Sequence, residues 1–179
     1  ALVAWAADGE DPSAVRTAMT AYGGLTLVGL AFSAFFSGSE TAFLSANAAR
    51  MRRQAAHGDR AAATAISVTQ HRERTQAFIL LGTNIANVMA IASSLALLKH
   101  VAGHHTTEWQ EGVNTIVMTP LVLLFGEILP KAIGRARPET TLLRASPVLL
   151  VLDWALRPVT YLLLGVSLVV MRLTGQEGE

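Results

Sequence analysis

The chain has 179 residues, 51% of them hydrophobic and 15% charged, with a mean hydropathy of +0.41 and a formal net charge of +1. That balance points to lipid rather than water as the surrounding solvent, and a charge so close to zero supplies no global attraction to nucleic acid. Cysteine is absent, which excludes disulfides, thiolate catalysis and cysteine-ligated metal sites.

Residues 1–22 carry Asp8, Glu10 and Asp11 without a basic stretch ahead of an apolar core, so they read as an extracytoplasmic segment and not as a cleavable signal. The first long apolar run, Gly23 to Ala49, rises far enough as a helix to cross a hydrocarbon core of about 30 Å. Its single acidic side chain is Glu40. The next stretch, within Asn47 to Gln76, is rich in Ala and Arg. It predicts a helical extension of the first span, a turn at Gly58 and Asp59, and a helix leading into the second span. The second run, Ala77 to Leu98, contains no charge, and the third, Val113 to Ile133, holds Glu127 near its C-terminal end. Residues 23–135 therefore predict a transmembrane domain of three helices.

Basic residues set the expected orientation. Arg50, Arg52, Arg53, Arg60, Arg72 and Arg74 lie between the first two runs, Lys99 alone is the Lys or Arg between the second and third, and Arg135, Arg137 and Arg144 follow. The positive-inside bias then places the N-terminus outside and the C-terminus in the cytoplasm of a multi-pass inner (plasma) membrane protein. Residues 136–179 hold another apolar stretch, Pro147 to Leu173, interrupted by Asp153, Arg157 and Pro158. Pro158 lacks a backbone donor, which predicts two short juxtamembrane helices at the cytoplasmic face rather than a fourth crossing. The fold class expected is all-α integral membrane. The sequence starts at Ala1 and is read as one piece of a longer protein.

Each run also carries a polar cluster. The first has Ser37, Gly38, Ser39, Glu40 and Thr41, the second Gly82, Thr83, Asn84 and Asn87, and the third Gly126, Glu127, Pro130 and Lys131. Alternating direction brings the three to similar depth. Asn84 and Asn87 share a helix face, as do Ser37 and Glu40. Pro130 cannot donate to the Gly126 carbonyl one turn earlier, which leaves an oxygen acceptor beside the Glu127 carboxylate. A set of hydroxyl, amide, carbonyl and carboxylate oxygens suits a hard cation such as Mg2+, Ca2+ or Na+ over Zn2+ or Cu+. Any one polar motif alone is ordinary interhelical glue, whereas a carboxylate in the membrane costs about 2.5 to 3.5 kcal/mol and marks function by default. The histidines form no convincing metal site. No HExxH, P-loop or nucleophile elbow is present, so no enzyme activity is expected.

In order, FSGSETAFLSAN, an arginine-rich stretch, LLGTNIANV and FGEILPKAIG resemble the transmembrane domain of the CorC/CNNM family of magnesium transport proteins. The resemblance implies a homodimer embedded in membrane lipid, with a juxtamembrane belt and with cytosolic CBS and CorC domains elsewhere in the full-length chain. It implies Mg2+ as the transported ion and Na+ as a coupling ion. It places the ion site on Ser37, Asn84, Asn87, Gly126 and Glu127, with Ser39 and Glu40 as a possible second site. A Mg2+-sensing membrane anchor and a channel are the alternative readings.

Overall fold

The computed structural model describes residues 12–70, 72–102 and 107–173. Every element among them is helical: Pro12–Ser45 (α1), Ala48–Ala56 (α2), Arg60–Gln70 (α3), Arg72–Ala102 (α4), Thr107–Leu121 (α5), a π-helical segment Val122–Ile128, Leu129–Ala136 (α6) and Pro138–Leu173 (α7). Three stretches are long and apolar enough to cross a membrane: Val15–Ser45, Arg72–His100 and Glu108–Ala136. The expected all-α membrane class, three spanning helices with shorter ones, is therefore what the chain adopts.

The helices outlast the apolar runs that announced them. In α4, Glu73 sits in the first turn and Lys99 in the last, each charge opposing the helix dipole and favouring extension into the boundary. Helix α1 instead stops at Ser45, short of the expected Ala49, because Asn47 caps a new helix by accepting from the Arg50 N–H at 3.1 Å. Large apolar side chains face outward along the spans, Val88 and Ile116 being 67% and 74% exposed. In water such faces would be costly, whereas hydrocarbon is their natural surrounding.

The chain divides into two compact units. The first contains residues up to Ala34 and Asn84–Leu129. Its close packing starts from small residues: a Cβ added at Gly29 would lie 2.8 Å from the Ala90 backbone nitrogen and 3.0 Å from the Ala86 carbonyl oxygen. Gly29 on α1 thus faces Ala86 and Ala90 on α4, a small-xxx-small pair that lets backbones touch. Leu30 packs against Ala90, Met118 and Val122 beside this contact. Hydroxyls and amides then link the helices, with Thr26 bonding Ser93 at 3.0 Å and the Ser94 hydroxyl donating to Asn114 Oδ1.

The second unit contains Phe35–Thr83 and the chain from Pro130 onward. Its core joins Phe36, Phe43, Met51, Phe78, Ile79, Leu142 and Leu149, all buried. At Gly82 a Cβ would meet the Phe36 ring at 2.6 Å, so the ring occupies the space a side chain would take. Between α2 and α3, Gly58 has φ +90°, and Asp59 caps α3 by accepting from the Ala61 and Ala62 N–H groups. The turn expected at Gly58 and Asp59 is there.

One expectation fails in this unit. The break at Pro158 is absent, since α7 runs from Pro138 to Leu173 with Pro147 and Pro158 inside it. A proline within a helix removes one hydrogen bond and does not end the helix when the freed carbonyl finds another donor. Pro147 shows how: the Leu143 carbonyl it orphans accepts from the Ser146 hydroxyl at 3.1 Å. Asp153, counted as an interruption, is instead a fixed point, bonded to Arg74 Nε at 3.0 Å and by a second contact from the same guanidinium.

Candidate functional site

Glu127 sits in the π-helical segment, which follows Pro120 at the end of α5 and precedes Pro130 at the start of α6. The Leu129 N–H bonds the Leu124 carbonyl, five residues back instead of four. Pro130 then has no N–H to give. The Gly126 carbonyl has therefore lost its α-register donor. The Ser33 hydroxyl approaches it at 3.3 Å.

That hydroxyl makes its shorter bond, 2.5 Å, to Asn87 Oδ1, and the Asn87 amide nitrogen donates to Glu127 Oε1 at 3.1 Å. Asn87 is thus read on both ends of its amide: acceptor from α1, donor to the π segment. Ser33 is fully buried, while Asn87 and Glu127 are half-buried. Gly126 is required to be small, because a Cβ there would stand 2.7 Å from Ser33 Oγ.

Of the residues expected at an ion site, the first unit joins Asn87, Gly126 and Glu127 around Ser33. Asn84 lies one turn earlier on α4 and is exposed. Ser37, Ser39 and Glu40 fall in the second unit. Ser37 and Ser39 are buried there, and the Ser37 carbonyl accepts from the Thr41 hydroxyl at 3.3 Å. Glu40, considered for a second ion, faces Lys131 Nζ at 3.6 Å, which supplies it a countercharge. Gly38 and Gly134 bring two backbones together in the same unit, since a Cβ on Gly134 would run into the Gly38 carbonyl oxygen.

Sequence reasoning missed Ser33. Its signal was its spacing: Ser33, Ser37 and Glu40 recur at i, i+4 and i+7, one face of α1. Serine in an apolar helix usually bonds its own preceding turn, and nothing in the residue itself distinguishes one that reaches across.

Chemically, the Ser33–Asn87–Glu127 group offers one carboxyl group with hydroxyl, amide and carbonyl oxygens close to it. Among the described residues no three His, Asp or Glu side chains converge, so a cation here would meet a single carboxylate and otherwise neutral oxygens. Such donors suit a hard cation that sheds only part of its water.

Residues 24–179 match the family described as the Cyclin M transmembrane N-terminal domain, CNNM. The chain is 32% identical over 143 residues to the UPF0053 inner membrane protein YfjD of Escherichia coli (strain K12), covering 80% of this chain and 32% of that protein. It is 30% identical over 139 residues to a UPF0053 protein of Haemophilus influenzae, covering 78% of this chain and 32% of that one. The chain spans about a third of the length of these curated relatives. With three apolar helices of spanning length and a family match from Gly24 to its last residue, this chain belongs to the CNNM family as a multi-pass membrane protein.

Proposed function

We propose that the chain forms the membrane part of a Mg2+ transporter, in which Glu127, the Gly126 carbonyl and Asn87 bind the ion as it passes. The observation that carries this reading is the Glu127 carboxylate within a spanning stretch, met by the Asn87 amide at 3.1 Å and set beside a carbonyl that Pro130 deprives of its donor. A carboxylate at such a depth costs about 2.5 to 3.5 kcal/mol, which neutral hydrogen bonds offset in part and a bound cation would offset further. The family resemblance supports Mg2+ over other hard cations, Na+-coupled export as the direction, a homodimer as the working unit and cytosolic CBS domains as regulators. YfjD is an inner membrane protein by its name, and the same location is proposed here.

The test is Mg2+ flux in proteoliposomes holding the full-length protein, read with an entrapped Mg2+-sensitive dye. Glu127→Gln keeps the shape and removes the charge, and flux is expected to fall at least tenfold. Flux equal to that of the parent would remove Glu127 from the pathway. Imposing and collapsing a Na+ gradient in the same vesicles separates coupled export from a channel, whose flux follows the Mg2+ gradient alone.

A further inference from the structure

The second unit holds a pocket of about 170 Å3 unrelated to Glu127, lined by Phe43, Met51, Arg52, Thr69 and Arg72 among others. Its lining contains two arginines and no carboxylate. Two other arginines of this unit are paired, Arg50 with Glu139 at 3.1 Å and Arg74 with Asp153. Among the described residues, neither Arg52 nor Arg72 has such a partner. The Arg72 guanidinium carbon lies over the Phe43 ring, 5.9 Å from its centroid, a cation–π contact that uses none of the N–H donors an anion would need. The Thr69 hydroxyl already donates to the Ile66 carbonyl at 2.8 Å, so the charged side-chain donors the lining offers a ligand are the two guanidinium groups.

Depth identifies the ligand. Phe43 lies in the last turn of the span Val15–Ser45, and Arg72 opens the span Arg72–His100. The pocket therefore sits where hydrocarbon gives way to water, the level at which lipid phosphates lie. Its volume exceeds the roughly 30 Å3 share of a single water severalfold and admits a phosphate group. Phe43 and the fully buried Met51 give it an apolar wall suited to the glycerol and first methylenes. Arginine forks match phosphate oxygens two at a time, which a diffuse basic surface does not.

We propose that this pocket binds the phosphate of an anionic lipid headgroup, with Arg52 and Arg72 as its clamp. The full-length protein, delipidated in detergent, is titrated with dioleoyl phosphatidylglycerol and, in parallel, with dioleoyl phosphatidylcholine, and bound lipid is counted by native mass spectrometry. Phosphatidylglycerol is expected to bind more tightly than phosphatidylcholine. Arg52→Gln and Arg72→Gln are each expected to weaken it about fivefold, and Arg53→Gln, an equal loss of charge on the same helix outside the pocket, is expected to leave it unchanged. Arg52 is exposed, so its variant keeps the test valid should Arg72→Gln disturb folding. Equal binding by all variants, or an equal loss from Arg53→Gln, overturns the proposal. Displacement of phosphatidylglycerol by millimolar inorganic phosphate would assign the clamp to a soluble phosphate and overturn the lipid as its source.

Discussion

The Asn87 amide donates to Glu127 Oε1 at 3.1 Å, joining α4 to the wide turn that carries the membrane carboxylate. Because the same side chain accepts from Ser33, its orientation is fixed from both sides: neither the amide nitrogen nor its oxygen is free to exchange places without losing a bond.

Asn87→Asp therefore changes two things at once, removing the donor to Glu127 and placing a like charge beside it. Mg2+ flux is expected to fall on the order of tenfold, since a hydrogen bond to a charged group contributes about 1.5 to 3 kcal/mol. Asn87→Leu leaves both Ser33 and Glu127 without this partner and should also lower the thermal midpoint in detergent. Parent-like flux in the aspartate variant would show that the amide takes no part.

Gly126→Ala pushes a methyl group toward Ser33 Oγ, 2.7 Å from the position a Cβ would take. The expected loss of stability is about 1 to 3 kcal/mol, typical of overpacking. Pairing it with Ser33→Ala removes the oxygen that collides, so the double variant should be more stable than the sum of the single losses predicts. Strict additivity in thermal unfolding would mean that the two residues do not meet.

Glu127 and Asn87 were legible in the sequence for a physical reason: an anion within an apolar run has few compatible surroundings, and an asparagine on an uncharged span must find a partner. The glycines gave less away, because small residues serve packing as readily as ligands. The π winding was not legible. Val122–Ile128 reads VLLFGEI, in which Glu127 announces a site and not a change of winding, and a wider turn leaves no trace in composition. Pro158 misled in the opposite direction, since the effect of a proline depends on which neighbour takes over the orphaned carbonyl, and that is a tertiary fact.

Arg74 and Asp153 tie the start of α4 to α7 with side chains only 20% and 10% exposed. The Tyr161 ring lies 5.8 Å from the same guanidinium. Asp153→Asn leaves the half-buried Arg74 charge without its carboxylate and is expected to cost about 1.5 to 3 kcal/mol, read as a lowered unfolding midpoint. Replacing both partners by leucine should recover most of that loss. An unchanged midpoint in Asp153→Asn would show the pair to be dispensable.

These 179 residues have no cysteine, so a single cysteine introduced among them reports topology once any cysteine elsewhere in the full-length protein is replaced. With a membrane-impermeant maleimide on intact cells, Glu108→Cys is expected to label at once, whereas Arg53→Cys and Leu173→Cys should label only after permeabilisation. Labelling of Leu173→Cys together with Glu108→Cys would mean that α7 crosses the bilayer.

The segment Val122–Ile128 accommodates one residue more per turn than the helices on either side. Returning a single turn to ordinary α winding would swing Glu127 by about 100° around the helix axis, the angle between successive residues at 3.6 per turn. A carboxylate that now points at Asn87 would then address a different wall. One slip of backbone register is enough to re-aim that carboxylate, with no rigid-body travel of the helix that carries it.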